Sequence, residues 1–372
     1  MGLQNLLKSI RTRCVTCRKV DNQKQQQIMG RIPSERLHPA PAWSYSSLDI
    51  FGPFEIKGEV NKRTRGKGFG IIFNCLLSRA VHLDLATDYS TDAFLLVLRR
   101  FISLRGCPIS IWSDRGSQLK AADKDLREIV RGLDEDAIVA FGAENSFDWK
   151  FCSPDAPWQN GSAEALIKSV KRALKVTIGC QVFTFSEMQT VLTETANLVN
   201  ERPIGRHPTS VEDGVYLSPN DLLLGRSDNR VPNANFDFTA SHRRRYAFVQ
   251  RVVDSFWKKW NEDFFPSLIV QQKWHTARRN VKVGDVVIIQ DTNQIRGKWK
   301  LGRVTCADPS LRDGFVRNVD VQYKNPGSQS FTTVKRPVQR LVVLVPIVDK
   351  HDQVHTQLST HHSVNISDSD NN

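Results

Sequence analysis

Ala156-Pro157-Trp158-Gln159-Asn160-Gly161-Ser162-Ala163-Glu164 is the stretch on which the reading of this chain turns, together with the helix it opens. Pro157 and Gly161 bracket a polar turn, and Asn160 suits an N-cap because its side chain can accept a free backbone N–H. From Ser162 to about Thr177 the spacing predicts a helix. Leu166, Val170, Ala173 and Leu174 recur at three- and four-residue steps and form one buried stripe. At about 100° per residue, Glu164, Lys168, Lys171 and Lys175 line up on the other side. The ordinary reading of that row is a solvated face, since Glu suits a first turn and pairs with Lys four residues on. The alternative is a site in which the carboxylate and the ammonium groups act together. What decides between them lies upstream.

Trp43–Phe51 reads as a strand that carries Asp49, and Gly68–Leu77 and Ala80–Ala86 read as two more, joined at Ser78-Arg79. Thr91–Leu104 has the helical period, with Phe94, Leu95, Leu98, Phe101 and Ile102 inward. Ile109–Ser113 is a short strand delivering Asp114, Gln118–Gly132 a charged helix, and Ser146–Cys152 another strand. A last helix runs from Phe185 to Glu201 and stops before Pro203. This order is that of an α/β RNase H-like core, a mixed five-stranded sheet flanked by helices.

Charge is unevenly spread along the 372 residues. Residues 1–39 carry 8 Lys+Arg against 2 Asp+Glu, residues 40–239 carry 23 against 25, residues 240–345 carry 20 against 8, and residues 346–372 carry 1 against 4. A near-neutral centre between basic flanks points to a polyanionic partner. A membrane is not indicated: the longest apolar run, Ala93–Leu98, is far below the roughly 20 residues a span needs. The N-terminus shows no signal-peptide apolar region, and seven cysteines, an odd number, point to a reducing intracellular compartment.

The expected organisation is a basic N-terminal arm at 1–39, a catalytic core at 40–204, a Pro/Asn-rich linker at 205–242, and a basic helical segment at 243–280. A small all-β SH3-like barrel at 281–345 and a polar, disordered tail at 346–372 complete it. Cys14 and Cys17 make half of a zinc site without a preceding His pair, so zinc is doubtful.

An RNase H-like sheet sets its first and fourth strands side by side, so Asp49 and Asp114 can meet, and a helix packed across them can add Glu164. Three carboxylates without obligate His or Cys suit hard cations, Mg²⁺ or Mn²⁺. Two such ions roughly 4 Å apart serve in-line displacement at phosphorus. Asp49 or Asp114 taken singly would read as an ordinary strand-end residue. Lys168, Lys171 and Lys175, with Asn160, stand beside Glu164, where the phosphates of a polyanion would be held. Arg296, Lys298, Lys300 and Arg303, with Trp299 interleaved, read as a duplex grip or as an ordinary basic loop. Lys258 and Lys259 on the later helix are expected to lie outside the site.

Leu48-Asp49-Ile50-Phe51-Gly52-Pro53-Phe54, Trp112-Ser113-Asp114-Arg115-Gly116-Ser117-Gln118 and Ala156–Glu164 resemble the three catalytic blocks of retroviral-type integrases, most of all those of BEL/Pao-class retrotransposons. Residues 245–345 resemble the accompanying C-terminal domain, and the segment before His38-Pro39 the leading one. The resemblance implies an Asp-Asp-Glu site at Asp49, Asp114 and Glu164 and two Mg²⁺ ions. It also implies 3′-end processing and strand transfer on DNA ends, a nuclear location, and homo-multimers on DNA. Cys14 and Cys17 then read as the remnant of an HHCC zinc module in an N-terminally truncated chain. The 49 residues between Asp114 and Glu164 exceed the retroviral gap, and the excess reads as a charged surface insertion at Gly132–Ser146. Rival functions are a captured, non-catalytic DNA- or chromatin-binding protein and an RNase H-like nuclease. An SH3-based protein adaptor is disfavoured by the basic C-terminal flank.

Overall fold

The computed structural model describes residues 35, 37, 39–61, 63–88, 90–113, 134–151, 161–206, 216–225, 244–268, 279–291, 296–324 and 330–347. The chain divides into two units, Met1–His38 and Pro39–Asn372, and the elements below belong to the second. Cys14, Cys17, Asp114, Asn160, the expected helix at Gln118–Gly132 and the tail from residue 348 on lie outside the described residues.

The first sheet is built from β1 (Tyr45–Lys57), β2 (Arg65–Cys75), β3 (Val81–Ala86), β4 (Ser110–Ser113) and β5 (Asp148–Phe151), in the order β3-β2-β1-β4-β5. β1–β2 and β2–β3 are antiparallel, and β1–β4 and β4–β5 are parallel. This mixed sheet, with helices on both faces, fits an RNase H-like core. A short sixth strand, β6 (Phe183–Thr184), extends it by pairing with the end of β1. β1 is longer than the sequence suggests because its ladder to β2 resumes at Phe54 after an irregularity at Gly52, where φ is +119°.

Both faces are covered, so β2 and β3 read as nearly continuous apolar runs rather than alternating ones. On one side Phe69, Ile71, Phe73 and Cys75 pack with Phe94, Val97, Leu98 and Phe101 of α1 (Thr91–Arg105). α2 (Glu135–Glu144) adds Ile138 to this layer. Here the structure corrects the sequence reading: what reads as a charged surface insertion contains a helix. Asp134 caps it, and a buried Ile138 anchors it. Net charge along the segment obscures the apolar positions that face inward, Ile138 and the half-buried Phe141.

On the other side lie α3 (Gly161–Ile178) and α4 (Phe185–Asn200), the latter opened by a reciprocal Thr184–Glu187 capping box. The end of α4 closes the sheet edge, because Asn200 accepts from the N–H of Val81 and donates to its carbonyl, at 2.7 and 2.8 Å. One side chain thus stands in for a neighbouring strand.

The expected linker at 205–242 is also corrected in part. A hairpin of β7 (Gly205–Arg206) and β8 (Tyr216–Leu217) leads into α5 (Pro219–Leu224), capped by Ser218. Asn220 is buried, donating to Glu201 at 2.6 Å and Asn197 at 2.8 Å. Pro219 and Gly225 mark the start and the stop of α5.

The expected basic helical segment is α6 (Arg244–Leu268), and it is part of the core. Its buried stripe, Val249, Val252, Val253, Phe256, Trp257, Trp260, Phe264 and Phe265, packs on α3 and α4. The same cluster takes in Val286, Ile288 and Leu301 of the second sheet, with Trp299 two residues before Leu301. That sheet is antiparallel, in the order β12-β11-β10-β9-β13. Its strands are β9 (Val286–Ile289), β10 (Leu301–Pro309), β11 (Val316–Lys324), β12 (Phe331–Pro337) and β13 (Leu341–Val345). Its other face holds a small core of Val287, Ile289, Val304, Val319, Val321 and Leu341. Among the described residues no helix is long and apolar enough to cross a membrane.

Two expectations follow. Trp260 is fully buried and stacks on Phe264 at 4.7 Å, with Trp299 edge-on at 6.0 Å. Trp260→Ala should cost about 3–5 kcal/mol in chemical denaturation. His82 is buried among Trp43, Phe73 and Phe101, and burial, reinforced by Arg105, lowers its pKa to about 4. The unfolded chain therefore takes up this proton more readily than the fold. Stability should be full above about pH 6.5 and fall by about 3 kcal/mol as pH drops towards 4. His82→Leu should flatten that slope in urea titrations across the same range.

Candidate active site

Asp49 sits on β1, the central strand of the five in the order β3-β2-β1-β4-β5. Its register partner is Ile72 of β2, while the preceding Leu48 pairs with Ser113, the last residue of β4. Side chains alternate along a strand. Leu48 joins the α1 layer, and Phe51 and Ile72 join the α3 layer. Asp49 therefore faces α3, and Lys171 of α3 meets it there. The Lys171 ammonium donates to Asp49 Oδ2 and, at 3.1 Å, to the carbonyl of Ile50. It stands 5.8 Å from the centre of the Phe51 ring. Asp49 Oδ1 accepts the N–H of Ile50 at 2.8 Å.

The ring that supports this arrangement needs Gly70. A Cβ at position 70 would lie 2.4 Å from the Phe51 ring, so only glycine lets the ring lie against β2. The Lys171 and Asp49 side chains keep 22% and 32% of their exposure. In such a setting solvent screens the pair, and its worth is local order more than stability.

In the sequence Lys171 stands in one row with Lys168 and Lys175, opposite the apolar stripe. The structure separates it from the row: Lys168 and Lys175 are exposed, while Lys171 turns in towards the sheet. Position 164 lies in α3, two turns before Lys171 on the same side of the helix; the Glu164 side chain is outside the described residues. Asp114, also outside them, follows directly on Ser113.

Asp49 is thus the member of the expected donor set described with its side chain. It is a hard oxygen donor with one oxygen on a backbone N–H and the other already facing a cation, which fits a hard divalent ion. Among the described residues no three His, Cys, Asp or Glu cluster closely enough to hold a metal.

The outer side of α3 continues onto α6. Asp263 is 3.8 Å from Arg172 and 3.2 Å from Lys259. Lys259, expected outside the site, is therefore brought to the flank of the helix that carries Lys168 and Lys175.

The expected duplex grip divides. Arg296 is corrected: it is buried, donates to Gln250 and Asp254 at 3.0 Å each, and lies 3.7 Å from Glu194. It ties the second sheet to α6 and α4 instead of presenting a surface. Trp299 is likewise buried, against Trp257, Trp260 and Phe264. Lys298 is exposed, Arg303 is half-buried, and Lys300 pairs with Asp291 at 2.7 Å and covers Tyr323 at 4.9 Å. The sign of the Arg296 tie was present in the sequence. Gln250 and Asp254 stand four apart beside the apolar stripe of α6, which calls for a buried partner.

Residues 244–344 match a family model described as "Family of unknown function (DUF5641)". The match begins at the first residue of α6 and ends in β13, so helix and second sheet fall within it together. No curated protein matches the chain. Among the solved structures similar to the chain are two that span different shares of it. One is a simian T-cell lymphotropic virus intasome in complex with PP2A regulatory subunit B56 gamma. It is 12% identical with TM-score 0.35, over 94% of this chain and 93% of that one. The other is the HTLV-2 integrase catalytic core domain in complex with magnesium, in a dimeric form. It is 14% identical with TM-score 0.23, over 37% of this chain and 74% of that one.

Removing a buried guanidinium leaves its carboxylate partners without it. Arg296→Ala should therefore destabilise the fold by about 3 kcal/mol, the low end for a broken buried pair because Asp254 is 34% exposed. Lys298→Ala should be neutral. Urea denaturation of both variants distinguishes a tie from a DNA contact, which would leave stability unchanged.

Proposed function

We propose that the chain is a retroviral-type integrase, a polynucleotidyl transferase that processes DNA 3′ ends and joins them to a target duplex. The observation that carries this reading is the position of Asp49: on the central strand, beside the end of parallel β4, under a helix that contributes a lysine to it. The three sequence blocks that resemble the integrase motifs lie on, or directly follow or open, those three elements. Asp49 lies on β1, Asp114 comes after β4, and Glu164 is in the first turn of α3.

In this reading Asp49, Asp114 and Glu164 would hold Mg²⁺ or Mn²⁺. When bound, the metal supplies Lewis-acid chemistry at phosphorus, activating the attacking oxygen and stabilising the leaving one. The protein's own groups position the substrate. Lys168 and Lys175, exposed on α3, take phosphates of the DNA end, and Lys259 and Arg172 extend that basic flank. Lys298 and Arg303 serve the second sheet, which we read as an SH3-like barrel; the 3₁₀ turn Val338–Arg340 before its last strand supports that assignment. Action on chromosomal DNA places the protein in the nucleus, as a homo-multimer on the DNA ends.

The test is a strand-transfer assay with Mg²⁺ and oligonucleotides carrying terminal-repeat ends from the source genome. Asp49→Asn, Asp114→Asn and Glu164→Gln should each abolish cleavage and joining while leaving the unfolding free energy within about 1 kcal/mol of the parent, since the partly exposed Asp49–Lys171 pair is worth no more than that. Joining that survives any of the three substitutions would overturn the assignment.

A further inference from the structure

The pairing of Lys171 with Asp49 carries one step more, and it rests on the proposed reading of Asp49 as a metal ligand. The two oxygens of Asp49 are differently engaged. Oδ1 is tied to the Ile50 N–H, and Oδ2 is the one the Lys171 ammonium occupies. The ammonium is held by more than the carboxylate, since the Ile50 carbonyl and the Phe51 ring also face it. Gly70 in turn lets that ring lie against β2. This is a seat for a cation at the oxygen a divalent ion would need. Two positive charges on one carboxylate oxygen repel strongly, so the ammonium and a metal exclude each other there. Lys171 also has somewhere to go. Its side chain is 22% exposed, and the row it leaves, Lys168 and Lys175, lies open on the same helix.

We infer that Lys171 is a displaceable counter-cation of Asp49. Divalent metal taken up at Asp49 ejects the ammonium from Oδ2, and the ejected ammonium becomes available to a substrate phosphate. Lys171 is thereby a positioning residue that links metal uptake to polyanion binding. The linkage is reciprocal: a phosphate that draws Lys171 away from Asp49 raises metal affinity by the same factor. No covalent step is involved; a cation faces Asp49 before and after the exchange, and the site gains one net positive charge.

The experiment uses the full chain and Mg²⁺ alone, followed by calorimetry, in the wild type and in Lys171→Met, Lys168→Met and Asp49→Asn. Lys171→Met keeps the apolar stem against Phe51 and removes the competitor. It should tighten Mg²⁺ binding about tenfold, within the usual range of coupling between sites. Lys168→Met, one turn away, removes the same charge from the general field and should change binding by about twofold or less. Asp49→Asn should abolish it. A second readout follows the lysine resonances of ¹³C-dimethylated protein, with the Lys171 signal assigned through Lys171→Arg. That signal should shift on adding Mg²⁺ to the wild type and stay fixed in Asp49→Asn.

Equal effects of Lys171→Met and Lys168→Met would overturn the inference and leave the metal reading standing. So would an unmoved Lys171 signal while Asp49 still binds Mg²⁺. Mg²⁺ binding unaffected by Asp49→Asn would overturn the metal reading and the inference with it.

Discussion

The apolar stripe of α6 is the constraint on which the rest of this structure depends. It is buried along two sides at once, against α3 and α4 of the first sheet's layer and against Val286, Ile288 and Leu301 of the second sheet with the preceding Trp299. A helix that must bury both sides cannot act as a spacer between independent modules. Its aromatic residues, Phe256, Trp257, Trp260 and Phe264, fill the junction with rings at 4.7–6.3 Å. Such large, rigid side chains bury much area at low cost in rotamer entropy. The second sheet is therefore held by the core's own packing, with Arg296 as the polar tie at its rim.

That packing reaches the candidate active site through α3. Trp260 donates to Ser169 at 3.4 Å, two residues before Lys171, and Arg172 meets Asp263 one residue after it. α6 thus fixes the rotation of α3, and the rotation decides which lysine faces Asp49. With a helical step of about 100°, a turn by one residue would move Lys171 off the carboxylate. The local register between two helices, remote from β1, sets what the central carboxylate meets.

Buried polar groups close the same layer. Asn200 covers the edge of β3. Arg202 donates to the carbonyls of Val199 and Arg79, at the end of α4, and full burial lowers its pKa to about 9. A cation on the last carbonyls of a helix is favoured by the helix dipole, which offsets part of its desolvation. Each of these groups occupies a place where the apolar periodicity ends and the backbone would otherwise lack partners.

The sequence by itself determined the strands, the main helices and the chemistry of the candidate residues, because period and residue type are local properties. The alternation of β1, the three- and four-residue stripe of α3 and the five short strands after residue 281 were all legible in it. So was the placement of Asp49 on the first strand. Only the tertiary structure decided which charges are used internally. Lys171 and Lys168 carry the same charge on one helix, yet one turns to Asp49 and the other to solvent. Arg296 and Lys298 stand two apart, yet one is buried between α4 and α6. It also set a capped helix within the expected linker and α2 within the expected insertion. The physical reason is that charge and Pro/Gly content report the average surroundings of a segment. Burial of a particular side chain depends on the helix packed over it, and here that helix, α6, comes some seventy residues after α3.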